Sequence, residues 1–171
     1  MSRTRQNLIA PIGLVVGAVL GMAGTFVPSA SLRGLAWGLD GISLIVASAL
    51  LTVHYFRRED DLVAAGFMVF MVGETLVVSG AAMDLATSAP LFGAGVGLWA
   101  ASLILISATS VMPVFARCAG FVAALLFTIV ALQIFAGRPL TPLSQPLPFF
   151  AYPFLVATLL SWAWVHFRSP S

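Results

Sequence analysis

The sequence predicts an all-α polytopic membrane protein: one domain of six transmembrane helices, with no water-soluble part. Three observations carry this. Of 171 residues, 60% are hydrophobic and 8% are charged, whereas a soluble domain averages about 25% charged. There is no lysine, so all eight basic residues are arginine. The apolar residues fall in six runs, each close to the roughly 20 residues that a helix needs to cross a bilayer core. A chain with so few charges cannot cover a water-facing surface. Its backbone polar groups must be satisfied inside helices, with lipid as the solvent.

The spans are read in order along the chain. The first covers about residues 8–27 and stops at Pro28. Its charged start resembles a signal peptide, but the run is long enough to span and more spans follow, so it is read as a retained helix. The second covers about 34–56 and ends at the charge run Arg57-Arg58-Glu59-Asp60-Asp61, which closes a tight hairpin. The third covers about 62–83, and the fourth about 91–111 with Pro113 as its breaker. The fifth covers about 115–136. Prolines at 139, 142, 146 and 148 then exclude a continuous helix. That segment is either a linker or a loop dipping toward a pore mouth. The sixth covers about 149–167, with Trp162 and Trp164 near its end as expected interfacial anchors.

Arginine placement sets the expected orientation. Arg3, Arg5, Arg57, Arg58, Arg117 and Arg168 fall on one side, and Arg33 and Arg138 on the other. The positive-inside rule puts both termini in the cytoplasm, and a bacterial inner membrane is the expected location. The arginines form no patch for nucleic acid. Cys118, the single cysteine, excludes an intramolecular disulfide and reads as a small residue near a helix start. Gly13, Gly17 and Gly21 share one face of the first span, and Gly93, Gly95 and Gly97 open the fourth. Both sets read first as places where a neighbouring helix packs closely.

Two acids stand out. Glu74 lies mid-way along the third span and Asp40 within the second. A carboxylate at bilayer depth is costly and should face protein or a water-filled path. Counted from the hairpin, Asp40 and Glu74 sit at heights of roughly 28 Å and 22 Å. If their helices face each other suitably, the pair can share a proton or bind a cation. Glu74 is the candidate proton-coupling residue, with Asp40 tuning it. The bland alternatives are a protonated Glu74 bonded to a neighbouring hydroxyl and an Asp40 solvated near the surface.

His54 and His166 lie near span ends of like depth. They are the only two candidate haem ligands, and interfacial side chains are the simpler reading. No catalytic triad, phosphate loop, dinucleotide fingerprint or metal-ligand spacing occurs. The expectation is a non-enzyme without cofactor or metal.

Asn7-Leu8-Ile9-Ala10-Pro11-Ile12-Gly13-Leu14 opens the first span, with Ala10, Pro11, Gly13 and Leu14 in its core. Leu39-Asp40-Gly41-Ile42, the basic hairpin at Arg57-Arg58, and Gly97-Leu98-Trp99 follow. These resemble the acetate uptake transporters, the family of acetate/succinate–proton permeases, over most of the chain. The resemblance implies a hexameric ring of protomers, each with its own path pinched by three hydrophobic side chains. Leu126 falls at the fifth-span position and Phe70 near the third-span one. Gly17 stands where the family has a bulky aromatic, and Leu8-Ile9 interrupts the opening Asn-Pro. Glu74-Thr75 replaces an aromatic pair, and a carboxylate there repels a carboxylate substrate unless it carries a proton.

The resulting expectation is a homo-oligomeric transporter or channel for a small solute, foremost a monocarboxylate moved with a proton. A urea or small-amide channel is the alternative, with few tryptophans inside spans to support it. An accessory subunit of a larger membrane complex is the third.

Overall fold

The computed structural model describes residues 8–168. Arg3, Arg5 and Asn7 lie outside the described residues. Among the described residues there are six α-helices: α1 (Ile9–Phe26), α2 (Ala30–Phe56), α3 (Asp61–Ala81), α4 (Ala89–Ala108), α5 (Val114–Phe135) and α6 (Tyr152–Arg168). A 3-10 turn, Phe149–Ala151, leads into α6. Among the described residues there is no strand. All six helices, counting that turn with α6, are long and apolar enough to cross a membrane, which suggests a multi-pass membrane protein.

Helix ends follow local chemistry. Pro11 sits in the first turn of α1, where its missing N–H removes a donor that would be unpaired anyway. Ser29 caps α2, its hydroxyl accepting from the Leu32 N–H at 3.5 Å. This cap starts α2 four residues before the expected boundary, and the 27-residue helix reaches about 40 Å. Gly137, at φ +90°, ends α5. Around it the Arg138 N–H donates to the Gln133 carbonyl and the Gly137 N–H to the Ile134 carbonyl, both at 2.9 Å. A left-handed residue is needed there, and glycine adopts that conformation without steric cost. The Arg117 Nε donates to the Ser107 carbonyl at 2.8 Å, satisfying the end of α4 from α5.

Each helix packs mainly on its sequence neighbours, and α6 closes back on α1. The helices therefore form a closed ring. Outward faces carry large apolar side chains such as Leu35, Ile42, Val53, Leu125 and Leu132, as lipid-facing helices should. Arg57, Arg58, Arg117 and Arg168 share one end, and Arg33 and Arg138 the opposite end.

The glycine sets are packing surfaces. A β-carbon on Gly13 would stand 2.8 Å from the Ser43 carbonyl of α2, and one on Gly95 2.9 Å from the Gly73 carbonyl of α3. Such distances admit no side chain, so the helices touch backbone to backbone. Ala10, Pro11 and Leu14 are buried on the same helix.

The ring's centre is aromatic. Phe67, Phe70, Phe127 and Trp162 are fully buried and Trp99 is 5% exposed. Phe70 stacks on Trp99 with centroids 6.0 Å apart, and Trp162 meets Phe67 edge-on at 5.0 Å. Trp162 is therefore a core residue and not the interfacial anchor expected of it. Its position near the end of the chain suggested an anchor, but the helical phase turns its side chain inward. Trp164, two residues on, is exposed and carries the Arg168 guanidinium 3.9 Å from its ring centroid, the arrangement an interfacial residue should have.

Candidate functional site

A small cavity lies inside the ring, with α1, α2, α3, α4 and α6 all contributing to its wall. Its volume is about 60 Å³, about twice the ~30 Å³ share of a liquid water. Gly17 and Gly21 of α1 form one side, and Trp37, Asp40 and Leu44 of α2 another. Val77 and Val78 of α3, Trp99 of α4 and Tyr152 of α6 complete most of the rest.

Pro142 also lines the cavity, so the 137–148 segment folds back over the ring. Its carbonyl accepts from the Tyr152 hydroxyl at 3.0 Å, and Leu140 and Leu147 pack onto the core. Of the two readings open for this loop, the structure supports a cap over the cavity.

Asp40 reaches the cavity because α1 is thinned to glycine opposite it. A β-carbon on Gly21 would lie 2.7 Å from Asp40 Oδ2, and one on Gly17 3.1 Å from Oδ1. Trp37, one helical turn before Asp40, anchors the same face by donating from Nε1 to the Gly21 carbonyl at 3.3 Å. Gly17 presents no constriction itself. It packs against Leu44, which occupies the space a side chain would need.

Glu74 is 1% exposed. Its Oε1 lies 3.4 Å from where a β-carbon on Gly41 would sit. Gly41 follows Asp40 in α2 and lets Val78 of α3 approach its backbone closely. Asp40 thus turns toward α1 while Glu74 lies against the next residue of α2, so the two acids are neighbours near the α2–α3 contact. Glu74 stands directly behind the cavity wall. The Trp99 indole lies near it, but neither Trp99 Nε1 nor Glu74 Oε2 makes a hydrogen bond of good geometry.

Asp40 Oδ1 is also buried and unpaired. Among the described residues the ion pair is Arg58–Asp60, at 4.0 Å on the exposed hairpin, and no cation pairs with Asp40 or Glu74. Buried polar groups are nearly always satisfied, so unpaired carboxyl oxygens on two neighbouring helices are informative. Among the described residues no group of acids, histidines and cysteine suits a metal ion.

Phe70 lies inside, in the aromatic layer next to Trp99. Leu126 is only partly buried and packs on the core from α5. The α5 side chain at the centre is its neighbour Phe127, which meets Trp99 at 5.4 Å.

His54 and His166 come together at the arginine-rich end, ring centroids 5.9 Å apart. Both nitrogens of His166 are engaged. Nδ1 faces the Trp162 carbonyl at 2.6 Å and Nε2 the Tyr55 hydroxyl at 3.0 Å. A carbonyl only accepts, so Nδ1 carries the proton and Nε2 receives the Tyr55 O–H. Neither nitrogen is free for a haem iron.

The site residues that sequence reasoning passed over are Trp37, Trp99, Tyr152 and Pro142. Trp37 had a usable signal: it stands three residues before Asp40, the spacing that puts two side chains on one helix face. The other three reach the cavity only through tertiary packing. Comparison of the chain with family models, with curated proteins and with solved structures finds no match in any of the three.

Proposed function

We propose that this protein is a proton-coupled transporter or channel for a small solute, with the Asp40–Glu74 pair as its proton site. One observation carries the reading: two acids without cationic partners lie on neighbouring helices, one lining a small cavity and the other close to it. An ionised acid at the centre of a spanning helix costs about 2.5–3.5 kcal/mol on insertion scales. A chain that keeps two of them side by side is using them, since apolar residues would pack there without that cost. Protons taken up and released by the pair would couple to a solute in the adjoining cavity.

The arginine distribution supports both termini in the cytoplasm of a bacterial inner membrane. The resemblance to acetate–proton permeases supports a homo-oligomer, a hexamer by that likeness. A monocarboxylate fits this cavity when the pair carries protons, because a bare anion is repelled there. A second reading, a small-amide channel, gains from Trp37, Trp99 and Tyr152 on the cavity wall. Those rings supply the aromatic lining that the sequence was thought to lack. An accessory subunit has no need of an enclosed acid pair.

The test is uptake of radiolabelled acetate and urea into proteoliposomes under an imposed pH gradient, against empty liposomes. Wild type should accumulate a solute in a pH-dependent way, and Glu74→Gln should lower that uptake at least tenfold and flatten its pH dependence. PH-independent uptake, identical in wild type and Glu74→Gln, would remove the acid pair from the mechanism.

A further inference from the structure

A second hollow lies at the arginine-rich end, away from the two acids. It is an open groove of about 560 Å³ between the α4–α5 turn and the last turns of α6, within the roughly 300–1,000 Å³ of ligand sites. Val111, Met112, Pro113 and Phe115 form much of one wall, and Trp164 and Arg168 much of the other. Val111, Phe115 and Trp164 are exposed, so the groove is apolar and opens outward. α4 and α6 end beside it and α5 begins there. In a spanning protein that is the depth at which acyl chains meet headgroups.

Arg168 supplies the charge. Its guanidinium lies 3.9 Å from the Trp164 ring centroid. Stacking covers one face of the planar group and leaves its in-plane N–H donors free to grip a phosphate by two parallel bonds. Among the described residues no acid lines the groove, and Arg168 forms no ion pair. The acids of this end, Glu59, Asp60 and Asp61, sit on the α2–α3 hairpin, where Asp60 pairs with Arg58. A free cation beside an apolar wall matches a ligand with two parts, an anionic phosphate and a hydrocarbon chain. A soluble phosphate gains nothing from the apolar wall. A zwitterionic lipid gains less from Arg168, because its own cation offsets its phosphate.

We propose that this groove holds an anionic phospholipid of the surrounding leaflet, its phosphodiester on Arg168 and an acyl chain against Val111, Phe115 and Trp164. Basic pockets between spanning helices select anionic headgroups in this way. α6 is the helix that closes the ring onto α1. A lipid bridging its end to the α4–α5 turn fastens the ring at the arginine-rich end. The inference uses neither the acids nor the solute, so it stands apart from the proton-coupled reading.

The experiment is tryptophan quenching of the full chain in nanodiscs of mixed phosphatidylglycerol and phosphatidylcholine, with bromine on the acyl chains of one lipid at a time. Bromine quenches on contact. Trp164 is exposed at the groove, whereas Trp37, Trp99 and Trp162 are buried. Brominated phosphatidylglycerol should quench at least twofold more than brominated phosphatidylcholine at equal mole fraction. Trp164→Phe should remove that excess, which places the lipid in this groove. Arg168→Gln should also remove it, whereas Arg57→Gln, which deletes the same charge from the hairpin, should keep it. Circular dichroism checks the fold of each variant, and the wild-type comparison of the two lipids decides the matter if a variant does not fold. Equal quenching by both lipids in wild type, or an excess that survives Arg168→Gln, overturns the inference. Soluble glycerol phosphate should leave the excess unchanged. Its loss on adding that ion would make this a water-facing phosphate site and overturn the lipid assignment.

Discussion

Two clusters of polar groups inside the ring are satisfied to different degrees. At the arginine-rich end, Tyr55, His166 and the Trp162 carbonyl satisfy one another in a closed hydrogen-bonded chain. Toward the opposite end, Asp40 lines a cavity and Glu74 lies behind its wall, each with one oxygen unpaired. Between them lies a dry layer of Phe67, Phe70, Trp99, Phe127 and Trp162. A satisfied network holds helices in register and does nothing else. An unsatisfied one is costly alone, and becomes favourable when a ligand or proton arrives. On the proposed function, the contrast separates a structural cluster from the candidate proton site.

The largest expected effect tests the divider between the two ends. Phe70→Ala removes a fully buried ring, and should cost about 3–5 kcal/mol of stability, as large-to-small core changes do. Chemical unfolding in mixed micelles would measure the loss. The same variant in proteoliposomes should leak protons faster than wild type, because the dry layer is breached. Normal stability would mean the layer repacks and is not the barrier assigned here.

Filling the cavity comes next. Gly21→Val places methyl groups against the Asp40 carboxyl and should cost about 1–3 kcal/mol through overpacking. Solute uptake should fall with it, whereas a variant of equal instability at the arginine-rich end should retain uptake per folded molecule. Equal losses at both ends would erase the distinction.

Tyr55→Phe sharpens the other half of the comparison. It removes the hydroxyl that bonds His166 and should cost about 1 kcal/mol, the net worth of one hydrogen bond. Uptake and its pH profile should be unchanged. A shifted profile would place the Tyr55–His166 pair on the proton path.

The smallest effect lies outside the spans, in the turn between α3 and α4. The Thr87 backbone N–H and hydroxyl both donate to Asp84 Oδ2 at 2.9 Å. These bonds hold the exposed Asp84 carboxyl below its usual value of 3.8. A carboxyl lowered on folding adds stability above its unfolded pKa and loses it as pH falls through the folded one. Asp84→Asn should therefore melt slightly below wild type at neutral pH, and the two should converge in strong acid. A gap that widens with acid would reverse the assigned sign.

Much of the fold was legible in one dimension because lipid imposes a simple rule. Every spanning backbone must be helical and apolar outside, so six apolar runs imply six helices, with boundaries off by a few residues at caps such as Ser29. Glu74 was legible for the same reason: a charge where none is tolerated marks itself. Trp162 was misread because an anchor and a core tryptophan look alike in sequence, and only helical phase against neighbours tells them apart. On α5, Phe127 is fully buried and its neighbour Leu126 packs on the core from its edge, a difference that only helical phase decides.

The sequence by itself determined the class, the helix count and the two acids, since hydropathy and the cost of charge in lipid are properties of single residues and runs. Tertiary structure alone decided that Asp40 and Glu74 lie on neighbouring helix faces beside one cavity. That depends on Gly17 and Gly21 making room on α1, Gly41 admitting α3, and α6 closing on α1. It also decided that Trp99, Tyr152 and Pro142 line the same cavity as Asp40. Close packing is set by the shapes of several helices at once, and no single stretch of chain encodes it.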